Sequence, residues 1–263
     1  MIIDGLSLPT YDGIASDTLR ADAGAADLFV LDECVSTMDI AHARAADGAL
    51  HGLVVVAEEQ RAGRGRSGKT WVSARGRGVW TSILLRPAVA ATPGVLSLRI
   101  GLELAERLER RSGKRLTLKW PNDVFHAGSK LAGVLIEARW RGAVLEWIVV
   151  GVGVNILAAE TDVMTSTGLG VECTRAAVLV DVVRAVLAAT GRTGELDADE
   201  MARYAARDHA RDRVVTAPHA GVVQGITSGG GVVIRTAGGD EVIVAGSLVF
   251  RDDAGEKAHA AGV

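Results

Sequence analysis

Gly63-Arg64-Gly65-Arg66-Ser67-Gly68-Lys69-Thr70 satisfies two nucleotide-binding patterns at once, G-x-x-x-x-G-K-[ST] across all eight residues and G-x-G-x-x-G at Gly63, Gly65 and Gly68. Both patterns work through backbone N–H groups that cradle phosphate at the start of a helix, so both require a strand ending at the loop and a helix beginning after it. Five mostly polar residues, Glu58 to Ala62, separate the preceding apolar run Leu53–Ala57 from Gly63. After Thr70 comes Trp71 to Gly78, where Gly76 and Gly78 would each cost a helix about 1 kcal/mol relative to alanine. The run Val178-Leu179-Val180-Asp181 looks like a second phosphate-site motif but lies inside a helical pattern. A doubly wound nucleotide fold is therefore set aside. What remains is a stretch from Arg61 to Arg77 with Arg61, Arg64, Arg66, Lys69, Arg75 and Arg77 and no acid among them. Such a segment can close over a polyphosphate as a mobile lid, and it equally fits a solvated Arg/Gly linker.

Outward from this loop the periodicities give an α+β pattern. Leu28–Cys34 and Leu53–Ala57 read as strands, with a helix between them capped at Ser36 or Thr37, running through Ala46 and stopped at Gly48. Val79–Leu85 is strand. Thr92-Pro93 opens a helix through Arg111 that stops at Gly113. Strands are expected at Leu116–Trp120, Leu131–Trp140 and Val144–Val154, the last two joined at Arg141-Gly142. Thr174 caps a helix through Thr190, and Asp197 another through Ala206. Strands in the middle with helices on either side predict a mixed sheet with flanking helices. After Asp212, Val214–Ala217, Gly221–Ile226, Val232–Thr236, Glu241–Val244 and Leu248–Phe250 are short strands between Gly-rich turns, expected to form a small β-barrel. The division follows: a weakly ordered lead-in over 1–26, a main domain over 27–210, the small barrel over 211–252 and a disordered tail over 253–263.

Composition narrows the function classes. In 263 residues, 48% hydrophobic and 23% charged is ordinary for a soluble globular chain. A net charge of −3 gives no global attraction to nucleic acid or acidic membranes. Cys34 and Cys173 form no metal or disulfide pattern and are expected as small apolar fillers. No secretory leader and no run long enough to cross a membrane is visible, so a cytoplasmic location and no membrane partner are expected.

Three further motifs follow the loop in order: Lys119-Trp120-Pro121-Asn122-Asp123, then Lys130-Leu131-Ala132-Gly133-Val134-Leu135-Ile136-Glu137, then Gly151-Val152-Gly153-Val154-Asn155-Ile156. With Ser36-Thr37, Gln60 and Trp71, this order closely resembles the biotin protein ligases over about Leu28–Ile156. The resemblance implies the biotin/lipoate ligase catalytic fold with a C-terminal SH3-like barrel. It also implies ATP, biotin and magnesium as ligands, the magnesium carried by ATP rather than by protein ligands. The implied reaction forms biotinyl-5′-AMP and pyrophosphate, then transfers biotin to a lysine of the biotin carboxyl carrier domain of acyl-CoA carboxylases. Bringing one anion onto another needs fixed cations, for which Arg64, Arg66 and Lys130 are suited, and the transfer needs a deprotonated amine, which Asp123 could orient or accept from. By resemblance, Ser36, Thr37, Gln60, Lys130 and the main chain near Gly63, Arg64 and Gly133 hold biotin. Arg66, Trp71, Asn122 and Asn155 face the nucleotide, and Lys130, Arg66 and Asp123 are the catalytic set.

Each residue also has a plainer reading. Trp120 and Pro121 fit core and turn better than ligand contact. Gly151 and Gly153 mark either close approach of a ligand or a bulge, and Asn155 could cap a turn. Two positions depart from the family pattern: Met38 stands where asparagine is frequent after Ser-Thr, and Lys69 where arginine is common. Only about 27 residues precede the first expected strand, too few for a winged DNA-binding unit, so no DNA partner is expected. A lipoate ligase of the same fold and a non-catalytic biotin-binding module are the competing readings. The first is disfavoured by the GRGRSG and KWPND stretches, the second because it would have no use for the arginine loop or Lys130.

Overall fold

The computed structural model describes residues 7–86, 92–158 and 166–252. In chain order these form β1 (Thr10–Tyr11), β2 (Ile14–Ala15), α1 (Ser16–Ala23), β3 (Asp27–Cys34), α2 (Thr37–Ala46), β4 (Leu53–Gln60) and β5 (Gly78–Leu85). Then come α3 (Pro93–Ser112), β6 (Thr117–Lys119), β7 (Asp123–His126), β8 (Ser129–Arg141), β9 (Val144–Asn155), α4 (Arg175–Thr190) and α5 (Ala198–Ala205). The C-terminal strands are β10 (Val214–Ala217), β11 (Gly221–Ile226), β12 (Val232–Thr236), β13 (Gly239–Ile243) and β14 (Val249–Phe250).

Seven strands make the main sheet in the order β3-β4-β5-β9-β8-β7-β6. Only β3 and β4 pair in parallel, with α2 as their crossover; the other neighbours are antiparallel, so the sheet is mixed as expected. The central strands are apolar on both faces because both are covered. Val54, Val56, Ile83, Leu85, Ile148 and Val150 point into a large core with α1, α3 and α4. Leu53, Val55, Ala57, Leu84 and Val149 point the other way and meet Met38, Ala41 and Ala45 of α2. With its ten residues, α2 is too short to cover the whole of that second face.

Three expectations need correction. Residues 10–23, read as part of a weakly ordered lead-in, form β1, β2 and α1, with Tyr11, Leu19 and Ala23 buried in the main core. Asp12 explains why this strap is held: its carboxylate accepts from the Ala176 N–H at the start of α4 (3.1 Å) and from Arg175 Nη2 (3.0 Å). The second correction concerns β4, which continues through Glu58–Gln60 because those residues keep their ladder with β3, Glu33 opposite Glu59 and Cys34 opposite Gln60. The third is β7, which the sequence pattern passed over. It is four residues long and turns into β8 through Ala127 and Gly128, both at positive φ.

The five C-terminal strands lie close to their expected positions, in the antiparallel order β13-β12-β11-β10-β14. The two outer strands do not pair with each other, so the unit is an open sheet where a closed barrel was expected. Its apolar side is covered instead by the main-sheet layer: Val215, Val223, Ile234, Leu248 and Phe250 belong to the same core as the main sheet. Residues 253–263, expected as a disordered tail, lie outside the described residues.

Candidate active site

Side chains alternate along a strand, so the face that meets α2 at Val149 carries Gly151 and Gly153 farther along β9. Gly133 of β8 lies opposite Gly153, and Ser82 of β5 lies opposite Gly151. Where α2 ends, this face therefore has a floor of three glycines. The floor is needed. A Cβ on Gly153 would stand 2.4 Å from the Trp71 ring, one on Gly133 3.0 Å from it, and one on Gly151 2.8 Å from Met38 Sδ. No register shift falls at Gly151 or Gly153, so close approach rather than a bulge explains them.

Above the floor lies a cleft of about 240 Å³ bordered by Ser36, Thr37, Gln60, Arg64, Arg66, Trp71, Asn122, Asp123, Lys130 and Gly133. Ten of the expected site residues thus converge. Gly63 and Asn155 do not line it. Gly63 instead lets the loop fold on itself, since a Cβ there would meet the Trp71 carbonyl oxygen at 2.4 Å. Asn155 is buried at the end of β9, paired in register with Gly78.

The inner end of the cleft is a fixed polar network. Gln60 Oε1 accepts from the Thr37 N–H (2.9 Å) and Thr37 Oγ1 (3.0 Å), and Gln60 Nε2 donates to Ser73 Oγ (2.8 Å). Thr37 Oγ1 also lies 2.8 Å from Ser82 Oγ. The outer end is charged. Lys130 Nζ lies 2.7 Å from Asp123 Oδ1 and 5.1 Å from the Trp71 ring centroid. Asn122, which fixes its own turn by donating to the Val134 carbonyl (2.6 Å), accepts from Arg66 Nη1 (3.3 Å). Burial lowers the Arg66 pKa, partly offset by Asp123, yet a guanidinium stays cationic at any working pH. Buried polar atoms normally find partners. Here Ser36 Oγ and Trp71 Nε1 are buried without a hydrogen bond, and both residues border the cleft.

The cationic loop is a hairpin rather than a shapeless lid. Gln60 bridges to Ser73 and Arg64 to Thr70, Trp71 N–H donates to the Gly63 carbonyl (2.8 Å), and a single 3-10 turn at Arg66–Gly68 makes the tip. No helix follows Thr70, as argued against a phosphate loop, although β4 ends closer to Gly63 than the sequence pattern indicated. The arginines divide by task. Arg61 pairs with Glu33 (2.7 Å), Arg75 with Asp32 (2.5 Å) and Arg64 with Asp39 (2.5 Å). Arg66 instead faces the neutral Asn122.

Several lining residues escaped the sequence reading. Thr81 and Ser82 are polar and almost fully buried inside β5, otherwise a run of buried residues, and two adjacent hydroxyls in such a run are a detectable signal. Lys119 borders the cleft and lies 4.5 Å from the Phe250 ring, so the C-terminal sheet, which also lends Ser247–Val249, forms part of the wall. Trp120 is core, its indole N–H donating to the Gly230 carbonyl (2.9 Å). Cys34 is buried and its thiol is pushed up to about 12, chiefly by burial, so it is an unreactive filler.

Residues 35–155 match the family model of the biotin/lipoate A/B protein ligase family. The chain is 36% identical over 153 residues to the biotin--[acetyl-CoA-carboxylase] ligase of Mycobacterium tuberculosis, covering 55% of each chain. It is 34% identical over 146 residues to the bifunctional ligase/repressor BirA of Bacillus subtilis, covering 55% of this chain and 45% of that protein. It thus spans about half the length of these curated relatives. Among solved structures, the biotin protein ligase from Aquifex aeolicus in complex with biotin and ATP superposes with a TM-score of 0.72 at 26% identity, over 86% of this chain and 99% of that one. Residues 35–155, which supply every residue bordering the cleft except Ser247–Val249, are thus similar to the biotin/lipoate A/B protein ligase family, and the relatives and structures the chain resembles are biotin protein ligases.

Proposed function

We propose that this cleft activates biotin with ATP and transfers it to a lysine of a biotin carboxyl carrier domain. The observation that carries the reading is the arrangement of the two ends of the cleft over one glycine floor. The hydrogen-bonding end sits at the Gly151 row and the cationic end at the Gly153 row, about 7 Å apart at two residues of strand rise. A ligand with a polar ring, a short acyl chain and a terminal carboxylate fits that layout. The ureido ring would take Thr37, Gln60 and the unpartnered Ser36 hydroxyl, and the carboxylate would reach Lys130.

The carboxylate attacks the α-phosphorus of ATP, the bond to the β-phosphate breaks, and pyrophosphate leaves. A carboxylate is already ionised near neutrality, so no base is needed; the barrier is anion against anion. Lys130 and Arg66 lower it by holding positive charge where negative charge gathers. Magnesium enters on the ATP phosphates as part of the substrate. Arg64, grouped with these cations from sequence, is held by carboxylates outside the cleft, and its main chain is the part that reaches ligand. Trp71 covers the nucleotide, and Asn122 and Asn155 support its side of the site. In the second step the carrier amine attacks the acyl carbon and AMP leaves. Asp123, ion-paired to Lys130 through Oδ1, orients the amine or takes its proton.

The test is pyrophosphate release from magnesium-ATP with biotin or lipoate, followed by label transfer to a biotin carrier domain. Biotin-dependent release with carrier labelling is expected. Release with lipoate but not biotin would overturn the substrate, and biotin binding without any release would turn the chain into a binding module. No helix among the described residues is long and apolar enough to cross a membrane.

A further inference from the structure

We propose that Glu137, His42 and Trp147 form a latch that seats the cationic hairpin over the cleft by gripping Arg64. Glu137 would then be a positioning residue for the reaction, an inference that rests on the biotin-ligase reading above.

The geometry is directional. Trp147 Nε1 donates to His42 Nδ1 at 3.0 Å. An indole N–H can only donate, so Nδ1 is the acceptor nitrogen and the proton lies on Nε2. That Nε2–H therefore donates to Glu137 Oε2 at 3.0 Å. The same oxygen accepts from Arg64 Nη2 at 3.3 Å, while Arg64 Nη1 donates to Asp39 Oδ1 at 2.5 Å. Two donors converging on one oxygen fix the Glu137 rotamer, and the fixed carboxylate in turn fixes the guanidinium. The chain of contacts crosses four elements: β9 (Trp147), α2 (His42 and Asp39), β8 (Glu137) and the hairpin (Arg64).

Its location gives it a task. The base of the hairpin is tied by main-chain bonds, from Arg61 N–H to the Cys34 carbonyl (2.9 Å) and from Ala62 N–H to the Val35 carbonyl (2.9 Å). Beyond the base, Arg66 reaches the β6–β7 turn through Asn122, and Arg64 reaches the opposite wall through the latch. Gly65, between the two arginines, lines the cleft. Holding both arginines sets the height of that main chain above the floor. The side chains of Arg64, Glu137 and His42 are between 26% and 36% exposed, and pairs this wet add little to folding stability. Removing them should loosen the hairpin without unfolding the chain.

The experiment uses the full chain carrying E137A, E137Q, W147F, R64A and the R64A/E137A pair, with two readouts. One is hydrogen–deuterium exchange at the Gly65 and Trp71 amides without substrates. The other is KM for biotin and kcat in biotin-dependent pyrophosphate release. In E137A the exchange should rise about five-fold and KM about ten-fold, the loss typical of a charge-assisted hydrogen bond, while kcat moves less than about two-fold. E137Q, whose amide oxygen still accepts, should fall between E137A and the unmodified chain. W147F should raise KM about two- to three-fold. The double variant should match R64A alone, because Glu137 acts through Arg64. Unchanged exchange and KM in E137A, losses that multiply in the double variant, or a fall in kcat at constant KM would each overturn the latch. Should E137A melt early, E137Q and W147F carry the same comparison. If the unmodified chain shows no biotin-dependent release, the functional reading fails, and the exchange data still decide the latch.

Discussion

Gly153→Ala tests whether the glycine floor is a contact surface. The added methyl would stand 2.4 Å from Trp71 Cε2 and 2.5 Å from Nε1, so the ring must retreat by about 1 Å to reach ordinary packing. Trp71 is only half-buried and sits on the hairpin, so it can move outward. The cost to the fold should thus sit near the lower end of the overpacking range, about 1 kcal/mol, or about 2–4 °C in Tm. The site has less freedom. The same displacement carries the ring away from Lys130, now 5.1 Å from its centroid, and raises the floor on which a ligand must lie. KM for ATP in biotin-dependent pyrophosphate release should rise at least ten-fold, equivalent to about 1.4 kcal/mol. Gly94→Ala is the matched control, because nothing lies within 4 Å of its Cβ position. In the first turn of α3 it should leave KM unchanged and raise Tm slightly. A Gly153→Ala chain with unchanged KM and a normal melt would show that neither Trp71 nor substrate uses the floor.

Lys130→Ala should lower biotin-dependent pyrophosphate release by about 100-fold or more while the chain still melts cooperatively, and near-normal turnover would remove Lys130 from the chemistry. Asp12→Ala removes an acceptor for the Ala176 N–H in the first turn of α4 and one of the two carboxylates that hold Arg175, the other being Glu58; urea unfolding should show a loss of about 1–3 kcal/mol with kcat retained. Glu200 is buried against Arg99, whose Nε donates to it at 2.9 Å. Burial pushes its carboxyl up, but hydrogen bonds from Arg99 and the Asp197 N–H, with the charges of Arg99 and Arg192, outweigh that and leave its pKa below the usual value. A depressed folded pKa stabilises fully above the unfolded value of about 4.3, and that stability is lost as pH falls through the folded pKa. Glu200→Gln should therefore lose about 1–3 kcal/mol near neutrality and show a flatter decline in acid; an identical acid limb would contradict the assignment.

How much was legible follows from how local each signal is. Capping residues such as Thr174 and Asp197 act on the next few positions, and the helices they open appear where the pattern placed them; α2 also starts after Ser36 as expected, although the Ser36 hydroxyl makes no capping bond. The strap over residues 10–23 was missed because its anchors, Tyr11 and Asp12, find their partners at Gly78 and Ala176, separations no window spans. The closed barrel failed for a related reason. Strand spacing shows five strands but not what covers their apolar side, and the main core covers it. At the site, ten motif residues meet at the cleft because the register of β8 against β9 aligns Gly133 with Gly153. The redirection of Arg64 depends on carboxylates from α2 and β8, which only the folded arrangement brings beside it.

The central claim is that this cleft joins the carboxylate of biotin to the adenylyl group of ATP. Isotope exchange measures that step directly. Labelled pyrophosphate should enter ATP only when biotin and magnesium-ATP are both present, without any carrier protein, and the exchange should vanish in Lys130→Ala. Exchange that proceeds without biotin, or none at saturating biotin in a chain shown to bind it, would contradict the account.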